Sequence, residues 1–140
     1  MTLDINDLLK AVDNENNASM MRLNSSIIKQ KKNDILQKLG LRGENLAKMH
    51  EKLKEYRYIE NLNDLNYNAF VRWIDISDPE DVFITNGAMV REMIAQDDTV
   101  IIKCMGFRFS TYSFDFNKCL VFQKFNKQEK VLLFALDNLT

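Results

Sequence analysis

Histidine occurs once in this chain, proline once, cysteine twice and glycine four times. The shortage of histidine and cysteine removes most metal and nucleophile chemistry. A metal site needs three or four converging His, Cys or carboxylate ligands; His50 lies in a different region from Cys104 and Cys119, which form no CxxC pair. We therefore expect no metal and no cofactor. Ser-His-Asp or Cys-His catalysis would rest on His50 alone, which sits among Lys and Glu and reads as a solvent-facing helical histidine. Gly40, Gly43, Gly87 and Gly106 match neither of the familiar phosphate-loop spacings. Asp75, Asp78, Glu80 and Asp81 cluster, and paired acids can serve as acid and base, but Asp, Ser and Pro are also what a plain turn requires. The expectation is a protein that is not an enzyme.

Long apolar runs are also missing. Nothing approaches the length of a membrane span, and the acidic N-terminus does not resemble a signal peptide. Cys104 and Cys119 each lie in an apolar, strand-like run. A bridge between neighbouring strands is one reading; buried thiols in a reducing compartment is the one we rank first. A soluble, intracellular protein with no membrane partner is expected.

What is present is ordinary globular composition, 46% hydrophobic and 28% charged, in a length that fits one domain or a small domain plus an arm. Fifteen Asn, thirteen Lys and eleven Ile suit an A/T-rich coding genome. The net charge of −1 gives no global attraction to nucleic acid, yet it hides an asymmetry. Residues 1–19 carry Asp4, Asp7, Asp13 and Glu15 against Lys10, whereas residues 20–57 hold ten Lys or Arg against four acids. Any electrostatic footprint belongs to that second block.

Periodicity divides the chain. LDINDLLKAV (3–12) has helical spacing, and DNENNAS (13–19) reads as a polar linker. From Met20 to Tyr56, Ile28, Ile35, Met49 and Tyr56 recur in sevens with Leu39, Leu46 and Leu53 beside them, the seam of a coiled coil or helical hairpin. Lys32 and Arg42 interrupt it, and Gly40 and Gly43 predict a break near 40–43. Beyond Arg57 the texture is short strands: 70–76, 82–85 and 88–94 around Asn86-Gly87 as a hairpin, 99–105, 107–116 with a phase switch that marks a bulge or sharp bend, and 119–125. Asn126 and Glu129 form a capping box for a last helix over 126–139. The fold class is α+β: a helical hairpin or helix pair (1–56), then a small antiparallel meander or barrel, SH3-like or OB-like, closed by a C-terminal helix (57–140).

Residues 35–49 fit two readings. In a helix-turn-helix, Arg42, Asn45 and Lys48 lie on or near a recognition helix and Lys29, Lys31, Lys32, Lys38, Lys52 and Lys54 contact phosphates. Against it, Leu36 stands where that motif wants a small residue, and Gly43 weakens the start of the second helix. The plainer reading is a helical hairpin whose lysines form a solvated face, with Ile28, Ile35, Leu39, Leu46, Met49, Leu53 and Tyr56 mediating self-association or docking. Tyr67, Arg72 and Trp73 are a candidate ligand surface if Trp73 is exposed; a lone Trp in a small domain more often fills the core.

YRYIENLNDLNYNAFVRWI (56–74), ITNGAMV (84–90) and LVFQKFNKQEKVLLFALDNL (120–139), with Arg72-Trp73-Ile74, Asn86-Gly87 and Phe122-Gln123-Lys124 as their most distinctive pieces, resemble uncharacterised proteins of nucleocytoplasmic large DNA viruses. The resemblance implies a viral origin and a setting in host cytoplasm or virion. It implies no activity, and it leaves the helical block uncovered. The function expected is therefore a non-enzymatic interaction or structural protein with a protein partner or a second copy of itself, the alternative being a nucleic-acid-binding accessory protein acting through residues 22–57.

Overall fold

The computed structural model describes residues 4–138; Leu3 and Leu139, included in the first and last expected helices, lie outside them. Four α-helices and six strands are arranged as expected for the α+β class: α1 (Ile5–Asp13), α2 (Ser25–Lys38), α3 (Gly43–Lys52), β1 (Tyr56–Ile59), β2 (Phe70–Asp75), β3 (Ala88–Gln96), β4 (Thr99–Met105), β5 (Thr111–Asp115), β6 (Cys119–Lys124) and α4 (Lys127–Asn138). Two compact units result, residues 1–57 with 125–140 and residues 58–124. The C-terminal helix, grouped by sequence with the β domain, belongs to the helical unit.

In the helical unit α1 and the 3-10 helix Glu15–Arg22 pack on α4, while α2 packs on α3. Ala11, Met20, Ile28 and Leu132 form a buried cluster flanked by Leu8, Leu23, Phe125 and Leu133. The segment 13–19 is not a free linker. Asn17 is buried and donates from Nδ2 to the Ala11 carbonyl at 2.9 Å and to Gln128 Oε1 at 3.0 Å. Its carboxamide supplies the partners that an isolated turn would take from water.

Helix α2 starts at Ser25 rather than Met20 because Asn24 Oδ1 accepts the Ile27 N–H at 2.8 Å, a side-chain cap. The break expected near 40–43 is present, with Gly40 at φ 87° and Gly43 at φ 57°. The seven-residue pattern overran the helix at its far end: α3 stops at Lys52, and Tyr56 opens β1. The capping box is formed in both directions, Glu129 N–H to Asn126 Oδ1 at 2.8 Å and Asn126 N–H to Glu129 Oε1 at 3.1 Å. Beneath it lies an ion pair that the periodicity did not announce. Arg57 Nε donates to Glu129 Oε2 at 3.2 Å, with both side chains buried, and Arg57 Nη2 reaches Ser19 Oγ at 3.3 Å.

The β unit has strand order β1-β6-β2-β3-β4-β5. Strands β2 to β5 form the expected meander, and β6 returns antiparallel beside β2. The sheet is open, with β1 and β5 as its two edges, so the expected barrel does not close. Val71, Trp73, Val90, Ile102, Cys104, Phe114 and Val121 form its core.

Two turn expectations change. Asn86-Gly87 does not reverse the chain. Ile84 bridges Ile74 and the Thr85 N–H donates to the Trp73 carbonyl at 3.0 Å, while Ala88 and Met89 pair with Val71 and Phe70. Residues on both sides of Gly87 therefore run along β2, and 82–85 is no independent strand. The glycine is needed because a Cβ there would lie 2.6 Å from the Phe70 ring and 2.7 Å from the Val71 carbonyl oxygen. Reversal falls instead to the acidic stretch 75–81, where Asp75 and Asp78 side chains accept the N–H groups of Ser77 and Glu80. The phase switch at 107–116 is a 3-10 turn over Phe107–Phe109 joining β4 to β5, with Arg108 and Phe109 at φ 55° and 61°.

Candidate anion-binding pocket

Ser25, Ile28, Lys29 and Lys32 are spaced i, i+3, i+4 and i+7, so α2 presents all four on one face. That face borders a cavity of about 300 Å³. His50 from the last turn of α3, Lys54 just beyond it, and Phe125 and Leu133 from the α4 segment complete the lining. Ile28, Phe125 and Leu133 make the apolar part. Three lysines, the His50 imidazole and the Ser25 hydroxyl make the polar part, with no carboxylate among the described lining residues.

Lys32 sets the character of the site. It is only 6% exposed, and Nζ donates to the Leu53 carbonyl at 2.9 Å. Leu53 caps the C-terminus of α3, where carbonyls without helical partners carry the negative end of the helix dipole. That placement explains how a buried ammonium is tolerated. Burial nevertheless pushes its pKa down, the Lys29 charge pushes it further, and Glu55 opposes them. His50 lies half-buried with Nε2 2.9 Å from Asn33 Oδ1. Burial first, then Lys32 and Lys29, hold its pKa below the ordinary histidine value. When Nε2 carries the proton it donates to Asn33, and Nδ1 is left as the nitrogen that titrates.

Two acids lie nearby, and the charge of Glu55 also reaches Lys32. Asp137 accepts the Ser25 N–H at 2.8 Å and the Ser25 hydroxyl as well, and Glu55 pairs with Lys130 at 3.1 Å. Like charges therefore converge on one partly apolar cavity, an arrangement that an anion would relieve by charge-assisted hydrogen bonds.

The sequence-nominated residues distribute unevenly around this pocket. Lys29, Lys32 and Lys54 line it. Lys31 is half-buried, while Lys38, Arg42, Asn45, Lys48 and Lys52 are exposed along the end of α2, the turn and α3; Lys48 pairs with Glu44 at 3.4 Å. Of the seam, Ile28, Leu53 and Tyr56 are buried within the protein and Ile35, Leu39, Leu46 and Met49 half-buried. Leu36, counted against a helix-turn-helix, is fully buried. Trp73 is core, stacked on Phe114 at 4.5 Å between ring centroids. Tyr67 is exposed, and Arg72 is half-buried with Nε donating to the Thr85 carbonyl at 2.8 Å.

His50 was missed as a pocket residue. The α2 spacing was a usable signal, since a face reading Ser, Ile, Lys, Lys is neither a solvated stripe nor a pure seam. Its pairing with His50, Phe125 and Leu133 is tertiary and has no local signature. Among the described residues no group of three or more His, Cys, Asp or Glu side chains is placed to hold a metal ion. No helix among them is long and apolar enough to cross a membrane. Comparison with protein families, with curated proteins and with solved structures finds no match.

Proposed function

We propose that this chain is a non-enzymatic binding protein whose helical unit docks a protein partner through an anionic group held in the α2–α3–α4 pocket. One observation carries the reading: Lys29, Lys32, Lys54 and His50 converge on an apolar-floored cavity, with one of the lysines almost wholly buried. Burying the Lys32 charge beside the like charge of Lys29 costs free energy, and a bound anion offsets that cost. Burial of Leu53 and Tyr56 takes those seam positions out of docking and supports the pocket as the site of interaction. In keeping with the resemblance of residues 56–140, the proposal places this binding in a viral setting, in host cytoplasm or virion.

A nucleic-acid role would draw on the same block but fits less well. Tracking a phosphate backbone needs exposed cations in a continuous line, whereas Lys32, in the middle of the block, is buried. Titration of the full chain with inorganic phosphate, followed by NMR of the lysine and histidine side chains, tests the proposal. Saturable shifts confined to Lys29, Lys32, Lys54 and His50, with Kd of roughly 1 mM or tighter, are expected. Their absence overturns the reading.

A further inference from the structure

We infer that the group this pocket takes is a phosphate monoester on an amino-acid side chain of the partner, its phosphate seated among Lys29, Lys32 and Lys54 with its stem on Phe125 and Leu133. The inference rests on the anion-docking reading above and names the chemistry of that same site.

Size comes first. A cavity of about 300 Å³ stands at the small end of ligand pockets. It admits the end of a side chain and is too small for a nucleic-acid duplex, whose grooves are read from outside. Charge comes second. A phosphate monoester brings nearly two negative charges at neutral pH and three strong acceptor oxygens, one for each ammonium. A carboxylate brings a single charge and two oxygens.

The kind of cation is the third point. The charged part of the lining is Lys and His, with no arginine among the described lining residues. Arginine's planar fork matches a carboxylate in two parallel bonds, whereas lysine acts as a point charge with rotatable donors. Three point charges arranged around a cavity suit a tetrahedral anion better than a flat one. Last, the half-buried Phe125 and Leu133 offer apolar surface to whatever carries the phosphate. Bare inorganic phosphate would leave that surface in contact with water; an aromatic stem covers the most of it.

The test is isothermal titration of the full chain with short peptides of one sequence carrying phosphotyrosine, phosphoserine or unmodified tyrosine, beside inorganic phosphate and a 5′-phosphorylated single-stranded oligonucleotide. The phosphotyrosine peptide is expected to bind at least about tenfold tighter than its unmodified form and than inorganic phosphate, with phosphoserine between. Lys29→Glu and Lys54→Glu change exposed residues and should abolish the difference while circular dichroism stays unchanged. If inorganic phosphate binds and the phosphopeptides gain nothing over it, this inference falls and the anion-docking reading stands. Tighter binding by the oligonucleotide than by either phosphopeptide overturns the inference in favour of nucleic acid. If no anion binds, both fail.

Discussion

Lys32 Nζ stands 2.9 Å from the carbonyl oxygen of Leu53, tying the middle of α2 to the end of α3. The same oxygen also accepts the Tyr56 N–H at 3.0 Å. Replacing the lysine therefore does not orphan the carbonyl. It removes a buried charge already opposed by Lys29.

Lys32→Met should accordingly fold. Its stem keeps most of the lysine volume, and loss of one charged hydrogen bond is offset by the desolvation no longer incurred, so stability should change by no more than about 1 kcal/mol. Phosphate binding should fall away. Urea denaturation and phosphate titration of one preparation check both halves.

Arg57 and Glu129 behave differently. Each is buried against the other, and removing one strands the other's charge. Glu129→Gln or Arg57→Met should cost about 3–5 kcal/mol, and the double substitution should recover part of that loss. Glu129→Gln retains a side-chain oxygen for the Asn126 N–H, so a frayed α4 would not explain the result. The measurement is a double-mutant cycle from chemical denaturation.

Gly87→Ala should destabilise the β unit by roughly 2–4 kcal/mol, through an unfavourable φ of 98° and overlap with Phe70 and Val71. An unchanged denaturation midpoint would mean that this close approach to β2 is absent.

How much of this was legible depended on the range of the interaction responsible. The Asn126–Glu129 box, the helix break at Gly40 and Gly43 and the buried Trp73 all follow from residues a few positions apart or from one side chain's size. Gly87 was recognised as a residue needing unusual backbone, but the reason is its approach to Phe70, seventeen positions earlier, and that does not show locally. The pocket was half legible. Its lysines were singled out for charge, yet periodicity could not distinguish Lys32 as an error in an apolar seam from Lys32 as a buried cation capped on Leu53. His50 looked solvated because its sequence neighbours are charged; Asn33 and the cavity are brought to it by the packing of α2 on α3.

The cysteines are free, Cys104 buried and Cys119 half-buried. Burial raises the Cys104 thiol pKa to about 11 and, with help from Asp75 and Asp115, that of Cys119 to about 12. Thiolate is the reactive form, so native protein at pH 8 should react with a disulfide reagent far more slowly than protein in denaturant. Equal rates would show the thiols to be accessible.

The most direct test of the central claim is the titration of the sole histidine, followed by its ring-proton NMR signals with and without saturating phosphate. The groups around it are Lys29, Lys32 and Lys54, with Glu55 and Asp137 engaged by Lys130 and Ser25. Without phosphate His50 should titrate below 6.5. The unfolded chain then binds more protons in that range, so stability should fall as pH drops below about 6.5. With phosphate in the pocket the titration should move upward, because the imidazolium gains a counter-charge and the effect of Lys29 and Lys32 is offset. A titration curve that phosphate does not move, or one already above 6.5 in its absence, would contradict the account.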